Sequence, residues 1–150
     1  MISKQNLKNK VINHIMIKGN KLKGEKILSK TLKSLQKTEI KPHNSIMKSA
    51  VLNSMPIFRL IKLKKKSKKK KGNKSQTKEI PAFLSNYFFR TSWSIKYMVL
   101  KSKQNANIFH SNFKNEVLLN SQNLGESVSV KNEIQKQALK KKLLFRYYRW

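Results

Sequence analysis

Apolar side chains recur at helical spacing through the first fifty residues. Leu7, Val11, Ile12, Ile15 and Met16 fall at i, i+4, i+5, i+8 and i+9, one stripe of an amphipathic helix. The stripe predicts a helix over about 4–18, stopped by Gly19-Asn20, where glycine supplies a C-terminal cap. A second helix over about 24–38 places Ile27, Leu28, Thr31, Leu32 and Leu35 inward, and the Lys41-Pro42 step breaks it. A third, short helix is expected behind a cap at Asn44 or Ser45; it carries Ile46, Met47, Ala50 and Val51 and ends before Pro56.

The period then changes from helical to extended. Ile57 to Leu63 is a β-branched and aromatic run, and Glu79 to Leu84 is a second extended piece, so residues 57–84 read as a β-hairpin arm. Pro81 confines the return strand to an edge or a bulge, and Gly72-Asn73 supplies turn chemistry between the strands. Beyond the arm, a helix over about 86–101 carries Phe88, Phe89, Trp93, Ile95, Tyr97, Met98, Val99 and Leu100 around much of its circumference, which predicts the central buried helix. Phe109, Phe113 and Val117 define a fifth helix. A sixth, from about Val130, turns Ile134, Ala138 and Phe145 inward. The expected fold is mainly α, a single domain over 1–150: a bundle of about six helices with one protruding basic β-hairpin between helices three and four.

Charge changes the picture most. The chain has 35 Lys and Arg against 6 carboxylates, all Glu, and a formal net charge of +29. Charges of one sign repel in the compact state and become favourable when phosphates neutralise them, which makes nucleic acid the expected partner. Yet 38% of residues are apolar, too many for a disordered basic tail. The basic residues are 31 Lys and 4 Arg, accompanied by 15 Asn, a usage that favours A/T-rich codons.

Other function classes find little support. Cysteine is absent, which removes a disulfide framework and thiolate metal sites, and no apolar run reaches the ~20 residues of a membrane span. Glu25, Glu39, Glu79, Glu116, Glu126 and Glu133 are scattered where acid–base catalysis needs pairs, and His14, His43 and His110 lack metal-ligand spacing. No enzyme activity, cofactor, metal site, small-molecule substrate or membrane partner is expected. No secretory or import leader is read ahead of the first helix, so the chain is expected to be made where it works or to stand in processed form.

Three groups of residues carry the binding chemistry. Lys62, Lys64, Lys65, Lys66, Lys68, Lys69, Lys70 and Lys71 crowd the hairpin and suit phosphates, recognising backbone charge with little base information; a solvated low-complexity run or a nuclear localisation signal has the same composition. Lys18, Lys21 and Lys23 surround the first turn. Arg90 and Lys96 on the fourth helix are expected to face RNA, with Trp93 in the core. At the C-terminus Arg146 and Arg149 alternate with Tyr147, Tyr148 and Trp150, a mix of cations and flat rings suited to stacking or to a protein interface.

Specific motifs sharpen this reading. Val11-Ile12-Asn13-His14-Ile15-Met16-Ile17-Lys18-Gly19-Asn20-Lys21, continued by Glu25-Lys26-Ile27, resembles the first-helix motif of the small-subunit ribosomal protein seven family. Ile80-Pro81 is similar to the end of that family's hairpin return strand, and Tyr148-Arg149-Trp150 is identical to the ending common in its bacterial members. There are three departures: the basic N-terminal arm is missing or reduced, the glycine-rich hairpin tip is replaced by the Lys64–Lys71 tract, and several family Arg are Lys or neutral, without the planar fork that grips phosphate.

The resemblance implies a structural protein that binds the 3′ major (head) domain of small-subunit rRNA. It also implies contacts with neighbouring ribosomal proteins of the head and platform, among them small-subunit protein eleven, and a place near the exit-site tRNA and the mRNA exit path. The A/T-favouring residue usage, with no presequence read, points to a mitochondrion, matrix and mitoribosome, with a plastid ribosome as the alternative and an A/T-rich bacterium third. A basic DNA-compacting or other organellar nucleic-acid-binding protein, and a membrane-surface basic protein, are the rivals from other classes.

Overall fold

The computed structural model describes residues 4–64, 77–104 and 108–147. Six α-helices and one antiparallel hairpin follow in the order α1 (Lys4–Ile15), α2 (Lys21–Thr38), α3 (His43–Asn53), β1 (Phe58–Lys64), β2 (Thr77–Phe83), α4 (Tyr87–Gln104), α5 (Phe109–Ser121) and α6 (Glu126–Lys140), closed by a short 3-10 helix, Lys142–Tyr147. The expected class and the position of the hairpin therefore hold.

Several boundaries differ from the periodicity, each for a local reason. The first helix ends at Ile15 instead of Lys18, because Lys18 (φ 51°) and Gly19 (φ 75°) both turn left-handed. The second begins at Lys21, three residues before Gly24, because Asn20 caps it by accepting from the Lys23 backbone N–H at 3.1 Å. Gly24 becomes an interior, buried residue facing α1; a Cβ there would meet Ile12 Cγ2 at 3.5 Å, an ordinary packing distance. The third helix is capped by neither Asn44 nor Ser45. Pro42 takes the N-cap position with extended backbone, and the Gln36 side chain accepts from the His43 N–H at 3.3 Å. The sixth begins at Glu126, four residues before Val130, and ends before Phe145, which stands in the 3-10 helix.

The expected central helix, α4, shares the centre of the core with α5. Although α4 buries Ile95, Met98 and Val99, its first turn leaves Phe88 and Phe89 about three-fifths exposed. Beside it α5 packs against α2, α3, α4 and α6, with Phe113 and Val117 fully buried. Leu7, Val11, Ile12 and Ile15 of α1, Leu28 and Leu35 of α2, and Ile46, Met47, Ala50 and Val51 of α3 complete one cluster with them. Each buried Leu, Ile, Val, Phe or Met side chain contributes about 1.5–3 kcal/mol relative to exposure.

Polar groups join the helices where their ends meet. The Asn53 amide donates to the Asn120 and Ser121 carbonyls at 2.9 and 3.1 Å, tying the end of α3 to the end of α5. Lys131 of α6 donates to the Asn53 carbonyl, and burial pushes its ammonium below the usual lysine value. The Glu116 carboxylate, buried on α5, accepts from the Ser127 N–H at 2.8 Å, the Ser127 hydroxyl at 2.6 Å and the Asn120 amide at 3.1 Å. It caps the first turn of α6 from another helix, where a negative charge also suits the helix dipole.

The hairpin pairs Phe58 with Phe83, Lys62 with Glu79 and Lys64 with Thr77, and Pro81 stands opposite Leu60 in a ribbon with an open edge on each strand. Its base is fixed to the bundle by aromatic contacts, with Phe58 stacked on Phe145 at 5.4 Å and edge-on to Phe83 at 5.9 Å. Glu79 adds a charged clamp, 2.9 Å from Lys141 beyond α6 and 3.7 Å from Lys62 across the strands. The hydrogen bond and charge of Lys141, aided by Lys62, hold its carboxyl below the usual carboxylate range.

Candidate nucleic-acid interface

Cations stand in excess over the carboxylates that could neutralise them. Glu25, Glu79 and Glu126 form ion pairs, and Glu116 is spent on the cap of α6. Lys18, Lys21 and Lys23 are all exposed around the left-handed turn between α1 and α2, with Lys21 only loosely paired to Glu25 at 3.9 Å. The same residues that end one helix and start the next thus fan three ammonium groups into solvent.

On the hairpin, Lys62 is exposed but shares Glu79 with Lys141. Lys64 ends β1, with only its backbone described; Lys65, Lys66, Lys68, Lys69, Lys70 and Lys71 and the Gly72-Asn73 turn lie outside the described residues, as do Tyr148, Arg149 and Trp150. The side chains of Arg146 and Tyr147 lie outside them as well, although both backbones belong to the 3-10 helix.

On α4 the expected pair divides. Lys96 is exposed, its ammonium 4.7 Å from the centre of the Trp93 ring, while Arg90 is half-buried and its Nε donates to the Pro56 carbonyl at 3.2 Å. Trp93 is half-buried against Tyr97 at 5.7 Å, an edge position instead of the expected core one.

Two residues on this face carry no local signal in the sequence. Lys10 of α1 donates to the Phe88 carbonyl at 3.3 Å and to the Thr91 hydroxyl at 3.2 Å, with its ammonium 4.5 Å from the Phe88 ring centre. His14, one turn later, is 2.7 Å from the Ser92 hydroxyl. Both flank the apolar stripe of α1 at i+3 and i+7 from Leu7, the one pattern that could have marked them. Burial, reinforced by the charges of Lys96 and Lys10, lowers the His14 pKa from the ordinary 6.5.

The sign of that shift gives a test. The unfolded chain binds the His14 proton more readily than the fold does, so this contribution to stability is complete above about pH 6.5 and is lost as pH falls through the lowered folded value. His14→Gln should remove that part of the pH dependence, read from denaturant midpoints between pH 7.5 and 5; an unchanged profile would assign it to other groups.

This surplus of lysine on a helical bundle with a basic arm finds its counterpart among known proteins: residues 2–142 match the Ribosomal protein S7p/S5e family. The chain belongs to that family. It is a structural protein of the small ribosomal subunit that serves translation, and it is not an enzyme. Membership implies binding to small-subunit rRNA and to ribosomal partners. Over 140 residues the chain is 28% identical to Small ribosomal subunit protein uS7c of Bigelowiella natans, covering 91% of this chain and 82% of that one. For an S7 protein the geometry is coherent: apolar stripes pack the bundle, carboxylates are spent on caps and clamps, and exposed lysines remain in excess.

Proposed function

We propose that this S7 protein binds the 3′ major (head) domain of small-subunit rRNA, helps assemble the head, and lies near the exit-site tRNA and the mRNA exit path beside neighbouring head and platform proteins, small-subunit protein eleven among them. The match over residues 2–142 in a chain of net charge +29 carries this reading. Lys18, Lys21 and Lys23 at the first turn, the lysines of the arm from Lys62 to Lys71, Lys96 and Arg90 on α4, and Arg146 and Arg149 supply the phosphate contacts. Tyr147, Tyr148 and Trp150 supply stacking or a protein interface. Lys62 meets phosphate while sharing Glu79, and Arg90 does so while braced on the Pro56 carbonyl.

Similarity to a plastid uS7c supports an organellar ribosome, and the A/T-favouring residue usage favours a mitochondrion, with a plastid as the alternative. Competition binding tests the central claim. A labelled head-domain transcript should be displaced by itself far better than by duplex DNA or by another rRNA domain of equal length. Equal displacement by duplex DNA would instead favour a DNA-compacting protein, since phosphate charge alone does not distinguish sites. Sedimentation of organelle lysates should place the chain with mitochondrial small subunits; recovery with plastid subunits would correct the compartment and leave the ribosomal role intact.

A further inference from the structure

A cleft of about 390 Å³ opens between the base of the hairpin and the first turns of α4, lined by Arg59, Phe83, Leu84, Asn86, Phe89 and Trp93. We propose that it holds one unpaired rRNA nucleotide, its base against the Phe89 and Trp93 rings and its phosphate on Arg59. This inference rests on the rRNA reading above and assigns it a specific subsite.

Three observations converge on that occupant. First, the Arg59 Nε is buried without a hydrogen-bond partner, whereas Arg90 satisfies its own Nε on the Pro56 carbonyl. The Nε itself is enclosed, so a phosphate would meet the guanidinium where Arg59 borders the cleft, as a charge-assisted contact. Carboxylates are too few in this chain to supply the counter-charge. Second, Phe89 is 62% exposed and Phe83 40% exposed at the rim, although water favours neither ring. Trp93 is set in place behind them by Tyr97. Flat rings beside cations match the π-face of a base and its phosphate together. Third, the Asn86 Oδ1 is occupied by the Phe88 N–H at 2.8 Å, which leaves the amide NH2 as its donor to a base edge.

Duplex nucleic acid does not fit this chemistry. Paired bases present their faces to one another, so the Phe89 and Trp93 rings can stack on a base only after it leaves the duplex. An apolar protein partner would cover the rings and leave the Arg59 charge without a counter-charge.

The test uses the full chain with Trp150→Phe, so that Trp93 is the remaining tryptophan of the two. Its emission is followed while the head-domain transcript, single-stranded hexauridylate or hexaadenylate, or a six-pair RNA duplex is added. Transcript and single strands should quench it saturably, and the duplex should not. Phe89→Ala, with helical circular dichroism unchanged, should weaken single-strand binding about 5- to 150-fold, the range expected for one stacked base, and leave the salt slope unaltered. Phe89→Tyr should restore it. Arg59→Gln should instead make the slope shallower by about 0.7, one phosphate on a single strand. Quenching by duplex, or parent-like affinity of Phe89→Ala, would overturn the subsite. If gel shift shows the transcript bound while Trp93 emission stays constant, the subsite is wrong and the rRNA reading stands. If the unsubstituted chain, with Trp150 in place, does not bind the transcript at all, both fall.

Discussion

Replacing Lys68, Lys69, Lys70 and Lys71 by Gln is expected to flatten the log–log salt dependence of head-domain rRNA binding by about 3, because each phosphate neutralised contributes roughly 0.7–0.9 to the slope. Over a fourfold rise in salt, a slope smaller by 3 corresponds to about 60-fold less loss of affinity, well outside the error of filter binding. The same variant should move the free chain in the opposite direction. Its formal charge falls by four from +29, to +25, so self-repulsion in the compact state weakens. Thermal melts at low salt should therefore be sharper for the variant than for the parent, while its binding at low salt is weaker. An unchanged slope would show that the tract is solvated in the complex and contributes no phosphate contact.

Gly125→Ala should be the most disruptive small substitution in the bundle. The backbone there is ordinary, φ −74°, so conformational strain is not the reason. A Cβ at this position would lie 2.0 Å from Asn120 Oδ1 and 3.0 Å from the Asn120 backbone nitrogen. Asn120 is fully buried, and its amide is held by Glu116, so it cannot move without loosening the cap on α6. Overpacking of this kind costs about 1–3 kcal/mol, and the loss of a cap about 0.5–2 kcal/mol more. Denaturant midpoints in moderate salt provide the measurement. The double variant Gly125→Ala with Asn120→Ser should recover part of the loss, since the clash involves the Asn120 side chain as well as its backbone. Gly19→Ala is the contrast: its φ of +75° strains any side chain although nothing lies within 4 Å. A Gly125→Ala chain as stable as the parent would mean that the α5–α6 junction yields freely.

The elements of this S7 protein were legible because each is specified by neighbours in sequence. Leu7, Val11, Ile12 and Ile15 form a stripe whatever surrounds them, and all four are buried. The hairpin strands Phe58–Lys64 and Thr77–Phe83 fall within the arm read at 57–84. Helix ends were less legible, because a single residue decides them: Lys18 adopts a left-handed conformation usually left to glycine, and the start of α2 follows from the Asn20 cap. Hydrophobicity alone overstated how much of α4 is buried. The rings of α4 read as core, yet Phe88 and Phe89 face outward, while α5, with a weaker apolar pattern, is enclosed on several sides.

By itself the sequence determined the helical class, the basic arm, the excess of lysine and the ribosomal family, since periodicity, charge and motif spacing are all local or summed properties. Tertiary structure decided which polar residues act together. Glu116 caps α6 across 11 residues, Glu79 meets Lys141 across 62, and His14 meets Ser92 across 78. No spacing rule links such pairs; they are set when helices pack and each buried polar group must find a partner. The cleft at Arg59 arises in the same way, from a strand, a linker and a helix that only the packed bundle brings together.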